Sequence, residues 1–127
     1  AKDGSRITLA IKSGIKIFFI TGRLSSLVQK RADERKIDGI LSKPELDEKL
    51  FIRYFEERGI RSHEILYIGD DINDLLFMKQ CGISVAVADA SREVLSVADI
   101  ITTALGGEGA VAEMIEKVLR AKGAWIS

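Results

Sequence analysis

Two short stretches hold the side chains able to do chemistry. The first is Gly69-Asp70-Asp71-Ile72-Asn73-Asp74, with three carboxylates packed directly behind the apolar run that ends at Ile68. Carboxylates crowded this closely repel one another, and a cation would relieve the repulsion. Asp and Asn oxygens are hard donors of the kind magnesium takes. Asp70 stands at the tip of the apolar run. Asp74 follows one helical turn later and would point back toward the same place. For Asp71 and Asn73 two roles stay open, a place in the metal shell or a cap on the following helix. Capping is also the plain alternative for Asp70 and Asp74. The second stretch is Thr21-Gly22-Arg23, directly behind the apolar run that ends at Ile20. Backbone N–H groups at a helix start favour anions, a threonine hydroxyl adds a donor, and an arginine grips phosphate or carboxylate. The plain alternative is a capping Thr with a surface Arg. Taken together, the stretches describe a phosphate held against a magnesium ion, which is the electrostatic half of phosphoryl transfer.

Such groups must be carried by elements that end in one place. Short β-prone apolar runs over 15–20, 37–41, 64–68, 82–87 and 98–102 read as strands. Helical spacing of apolar residues is found over 7–14, 24–36, 50–57, 75–79, 91–95 and 110–120. Strands alternating with helices predict an α/β fold with a mainly parallel sheet, because parallel neighbours need helical crossovers. In such sheets ligands bind beyond the C-terminal ends of the strands, where both stretches fall.

The 127 residues suffice for one domain, with 46% hydrophobic and 30% charged residues. Nineteen basic residues balance nineteen acidic ones. That composition predicts a globular protein and gives no overall pull toward nucleic acid. No apolar run approaches a membrane span, so no membrane partner is expected. A single cysteine, Cys81, forms no internal disulfide, and a cytoplasmic setting is the default.

The two stretches resemble the haloacid dehalogenase superfamily of phosphatases. Within it the likeness is to the capless family that hydrolyses 3-deoxy-D-manno-octulosonate 8-phosphate (KDO 8-phosphate). It rests on Ile20-Thr21-Gly22-Arg23 and on Tyr67-Ile68-Gly69-Asp70-Asp71 with Asp74. It extends through Ser84-Val85-Ala86-Val87-Ala88-Asp89-Ala90 and Gly106-Gly107-Glu108-Gly109-Ala110-Val111, and so over the whole chain. The resemblance implies a three-layer Rossmann-like core without a cap, formed by residues 1–127 as one domain. It implies magnesium-dependent hydrolysis of a sugar acid phosphate through a phosphoaspartate. Thr21 would bind the substrate phosphate, with the Gly22 N–H and Arg23 beside it. Asp70 would coordinate magnesium, with Asp71 and Asp74 supporting the metal. Gly106 and Gly107 would line the substrate end, and Asp89 falls in a loop near the mouth. A homo-oligomer, commonly a tetramer, is implied as well.

Three departures accompany the likeness. The family nucleophile belongs to an Asp-x-Asp pattern at the tip of a first strand, and this sequence has no Asp-x-Asp. That strand would lie centrally, between strands 15–20 and 65–68. The chain is therefore expected to be the C-terminal part of a longer protein and, by itself, not to form the phosphoaspartate. The family lysine should open the helix before Gly69. A gapless count lands on Asp47, with Lys49 slightly preferred to Lys43 as the substitute. Ala112 stands where an arginine is common. Two other functions compete. One is a non-catalytic domain of this fold that assembles a sugar-nucleotide enzyme such as an acylneuraminate cytidylyltransferase. The other, a phosphorylatable receiver domain, is disfavoured because no second strand tip is convincingly acidic. His63 reads as a turn residue, Cys81 as a buried thiol, and Trp125 as a subunit contact or a surface residue.

Overall fold

The computed structural model describes residues 2–107 and 109–123. Trp125, and Glu108 of the glycine-rich string, lie outside the described residues. The order of elements is α1 (Lys2–Lys12), β1 (Phe18–Thr21), α2 (Ser26–Arg35), β2 (Gly39–Ser42), α3 (Glu48–Glu56), β3 (Leu66–Gly69), α4 (Leu75–Met78), β4 (Ile83–Ala86), α5 (Arg92–Val97), β5 (Ile100–Ile101) and α6 (Ala110–Ala121). Short 3-10 turns occupy Lys43–Glu45, Ser62–Glu64 and Ile72–Asp74. Every strand pairing is parallel, as the alternation predicts. The residues cluster into two compact units, Ala1–Glu45 with Val111–Ser127, and Leu46–Ala110.

The first unit is built on α1, α2, the β1–β2 pair and α6. Its core joins Ile7, Ala10, Ile115 and Leu119, with Ile17, Phe19, Ile37 and Val111 packed against them. Complete burial of Leu119 alone contributes about 2 kcal/mol. The helix α1 starts five residues before the predicted 7–14 segment. Its first turn carries Asp3, whose carboxylate accepts the N–H of Ala112 at 2.8 Å. That contact joins residues far apart in sequence, so local propensity gives no hint of it. Ala112 itself is buried, at 4% exposure. The strand β1 starts later than predicted because Asp38 brackets Ile17. The Ile17 N–H donates to Asp38 Oδ2 at 2.7 Å, and the Asp38 N–H donates to the Ile17 carbonyl at 2.8 Å. From there β1 and β2 run in register from Phe18 opposite Gly39 to Thr21 opposite Ser42.

The second unit packs α3 and α4 around aromatic rings. Phe51 lies 5.1 Å from Phe55, 5.0 Å from Phe77 and 6.1 Å from Tyr67, centroid to centroid. Asp47 caps α3 by accepting the Leu50 N–H at 2.8 Å. The strand order is β3-β4-β5, with β4 central. β5 is only two residues long, and polar side chains add to the backbone bonds at both of its ends. Asp99 Oδ2 accepts the Ser84 N–H at 2.9 Å, and Thr102 Oγ1 accepts the Ala88 N–H at 3.1 Å. Among the described residues β1 pairs with β2 alone and β3 with β4 alone.

Candidate active site

Each predicted stretch lies at the C-terminal tip of a strand, one in each unit. In the first unit Thr21 ends β1 and is half-buried, while Gly22 and Arg23 are exposed. The Thr21 hydroxyl donates to the Arg23 carbonyl at 3.1 Å and accepts the Arg23 N–H at 3.3 Å. The predicted helix start at Leu24 is displaced to Ser26. Ser25 caps that helix by accepting the Val28 N–H at 3.2 Å. The Thr-Gly-Arg turn therefore stands ahead of the helix rather than on its first turn. A Cβ on Gly22 would meet nothing within 4 Å, so the backbone there is open to approach. Lys43 directly follows Ser42, the register partner of Thr21, and is half-buried. Adjacent strand tips thus carry Thr21 and the start of the Lys43 turn.

In the second unit the loop after β3 is organised by one carboxylate. Asp74 is buried, at 2% exposure. Its Oδ1 accepts the Tyr67 hydroxyl at 2.6 Å. Its Oδ2 accepts the Asp70 N–H at 3.0 Å and the Asp71 N–H at 3.2 Å. Asp74, expected to face a metal, turns inward and fixes the turn instead. Asp70 and Asp71 are exposed at the strand tip. Asp71 Oδ1 accepts the Ile72 N–H at 2.7 Å, so Asp71 caps the short turn as its alternative reading foresaw. Gly69 must be glycine, since a Cβ there would stand 2.9 Å from Asp74 Cβ and 2.8 Å from Met78 Sδ. Burial first, and then the bond to Asp74, push the Tyr67 phenol far above its ordinary range.

The loops after β3, β4 and β5 are tied together. The Ser91 N–H donates to the Asp70 carbonyl at 2.8 Å, and the Gly106 N–H donates to Asp89 Oδ1 at 2.8 Å. Gly107 has φ +80, a left-handed conformation in which glycine carries no steric cost. Gly106 and Gly107 are both exposed. Lys49 is exposed on the first turn of α3. Asp47, at the family's lysine position by gapless count, is occupied as the cap of that helix.

Among the described residues no group of three or more His, Cys, Asp or Glu side chains is placed to hold a metal ion. Asp70 and Asp71 carry hard oxygen donors of the kind magnesium takes. Tyr67 was missed in the sequence. The signal for it is a phenol on the buried face of β3, where burial alternates and aromatic rings surround it. His63 is exposed in the Ser62–Glu64 turn. Cys81 is half-buried, donates to the Phe77 carbonyl at 3.3 Å, and has its thiol pushed up to about 12 by burial.

Residues 51–115 match the haloacid dehalogenase-like hydrolase model. The 3-deoxy-D-manno-octulosonate 8-phosphate phosphatase of Escherichia coli K12 is 35% identical over 122 residues, covering 96% of this chain and 65% of the relative. The chain thus spans somewhat under two thirds of the length of the curated relatives it matches. Among solved structures, the cobalt-bound phosphatase of that name from Haemophilus influenzae aligns with a TM-score of 0.89 at 30% identity, covering 97% of this chain and 72% of the other. The Moraxella catarrhalis phosphatase in complex with magnesium, phosphate and KDO aligns with a TM-score of 0.87 at 34% identity, covering 94% and 69%. With the family model matching more than half of its residues, and with parallel strands that carry the Thr-Gly-Arg and Gly-Asp-Asp turns at their tips, this chain belongs to the haloacid dehalogenase-like hydrolases.

Proposed function

We propose that this chain belongs to a magnesium-dependent phosphatase acting on a sugar acid phosphate, with Thr21 as a phosphate-binding residue and Asp70 as a metal ligand. KDO 8-phosphate, the substrate in the relatives' names, is the first candidate. The observation that carries this reading is the Gly69–Asp74 turn, in which a buried carboxylate holds the backbone so that Asp70 stands at the strand tip. Thr21 turns its hydroxyl from the Arg23 carbonyl to a phosphate oxygen, and the open Gly22 backbone admits that oxygen. Arg23 adds positive charge at the exposed edge. Lys43 is assigned to the phosphate in preference to Lys49, a choice supported by the Thr21–Ser42 register. Asp70 holds magnesium, with Asp71 beside it. The metal, when bound, neutralises charge on the transferring phosphoryl group. Gly106 and Gly107 face the sugar, and Asp89 fixes their loop. The active protein is a cytoplasmic homo-oligomer, taken as a tetramer. No described helix is long and apolar enough to cross a membrane.

The nucleophile is an aspartate of an Asp-x-Asp strand, which these 127 residues do not contain. Among the described residues β3 pairs only with β4, which supports a further strand beside it. The test measures phosphate release from KDO 8-phosphate and other sugar phosphates by the chain with and without an upstream Asp-x-Asp strand. Hydrolysis is expected only with the strand and only with magnesium. Asp70→Asn should reduce it by about 100-fold. Full hydrolysis by the 127-residue chain alone would overturn the division of roles. No hydrolysis by the extended protein would favour the non-catalytic assembly domain.

A further inference from the structure

The bond between Tyr67 and Asp74 is buried, yet a single further hydrogen bond links it to the exposed Asp70. The Tyr67 hydroxyl meets Asp74 Oδ1 at 2.6 Å, a short bond of the kind a charged acceptor makes. The other oxygen of the same carboxylate gathers the N–H groups of Asp70 and Asp71. The Tyr67 ring already has a packing role, stacked 6.3 Å from Phe77 and tilted 6.1 Å from Phe51. Phenylalanine would fill that space equally well, so the core does not explain the hydroxyl. Without it, the buried Asp74 carboxylate would lose the phenol's short hydrogen bond, and Asp74 would rotate or draw in water to replace it. Either movement releases the two N–H groups that define the turn.

We propose that Tyr67 is a positioning residue for the cation site: its hydroxyl holds Asp74 in the orientation that sets the Asp70 carboxylate toward the metal. This rests on the assignment of Asp70 to magnesium made above. Outer partners of metal ligands commonly matter this way, and their loss costs about 10- to 100-fold in affinity.

The test is a Mg2+ titration of the 127-residue chain and of Tyr67→Phe, followed by NMR through the amide signals of Asp70 and Asp71. Thermal unfolding and the aromatic spectrum report on the fold in parallel. The expected result is a midpoint about tenfold higher in Tyr67→Phe with the aromatic core intact. Equal midpoints in the two folded proteins would overturn the inference and leave the metal reading standing. The lack of any Mg2+-dependent shift in the unsubstituted chain would overturn the metal reading, and this inference with it. Should Tyr67→Phe not fold, hydrogen exchange in the unsubstituted chain decides. Asp70 and Asp71 amides exchanging far more slowly than in an unstructured peptide support the clamp, and exchange at the peptide rate overturns it.

Discussion

The turn after β1 and the turn after β3 hold equivalent places in the strand–loop–helix alternation, but they are secured in opposite ways. The Thr21 hydroxyl makes its two hydrogen bonds to Arg23, two residues away and near the surface. Each such bond is worth about 1 kcal/mol net, so a ligand oxygen can replace it at little cost. Asp74 instead collects three donors inside the protein, one of them a phenol seven residues back on β3. That arrangement cannot shift without leaving buried polar groups unpaired. The first turn is suited to receive a group that comes and goes. The second is suited to hold a carboxylate in one place before any ligand arrives, which spares reorganisation on binding.

Substitutions at the two turns should separate along this line. Asp74→Ala strands the Tyr67 hydroxyl and two backbone donors, and should lower stability by about 3 kcal/mol or more in denaturant unfolding. A loss below about 1 kcal/mol would mean that the carboxylate does not anchor the turn. Gly69→Ala forces a methyl against Asp74 Cβ and Met78 Sδ. Overpacking of this kind should cost about 2 kcal/mol by the same measurement and should shift the Asp70 and Asp71 amide signals. Thr21→Val keeps the shape of the side chain and removes only the two local bonds. Its unfolding free energy should change by less than about 1 kcal/mol, while phosphate release by the strand-extended protein falls sharply. A large stability loss at Thr21 would erase the contrast.

The positions of both turns were legible in the sequence, because each begins where a short apolar run ends. The α/β alternation was legible for the same reason. The workings of the second turn were not. Counting carboxylates suggests three ligands, but it cannot reveal that Asp74 points inward toward a phenol on the preceding strand. The start of α1 was hidden by its long-range tie from Asp3 to Ala112. The start of α2 was misplaced because Ser25, rather than the Thr-Gly-Arg turn, supplies the cap. Between the two lysines, spacing in the sequence leaned toward Lys49. Strand register, which no linear count contains, puts Lys43 directly after the residue opposite Thr21.

Gly106 is bonded to Asp89, and Ser91 to Asp70. Asp89 and Ser91 are separated by a single residue, so the glycine-rich bend and the acidic bend are moored to the same short span of backbone. A shape change imposed at one bend is conveyed to the other without involving the sheet. Substitution at either anchor would therefore be felt at both bends.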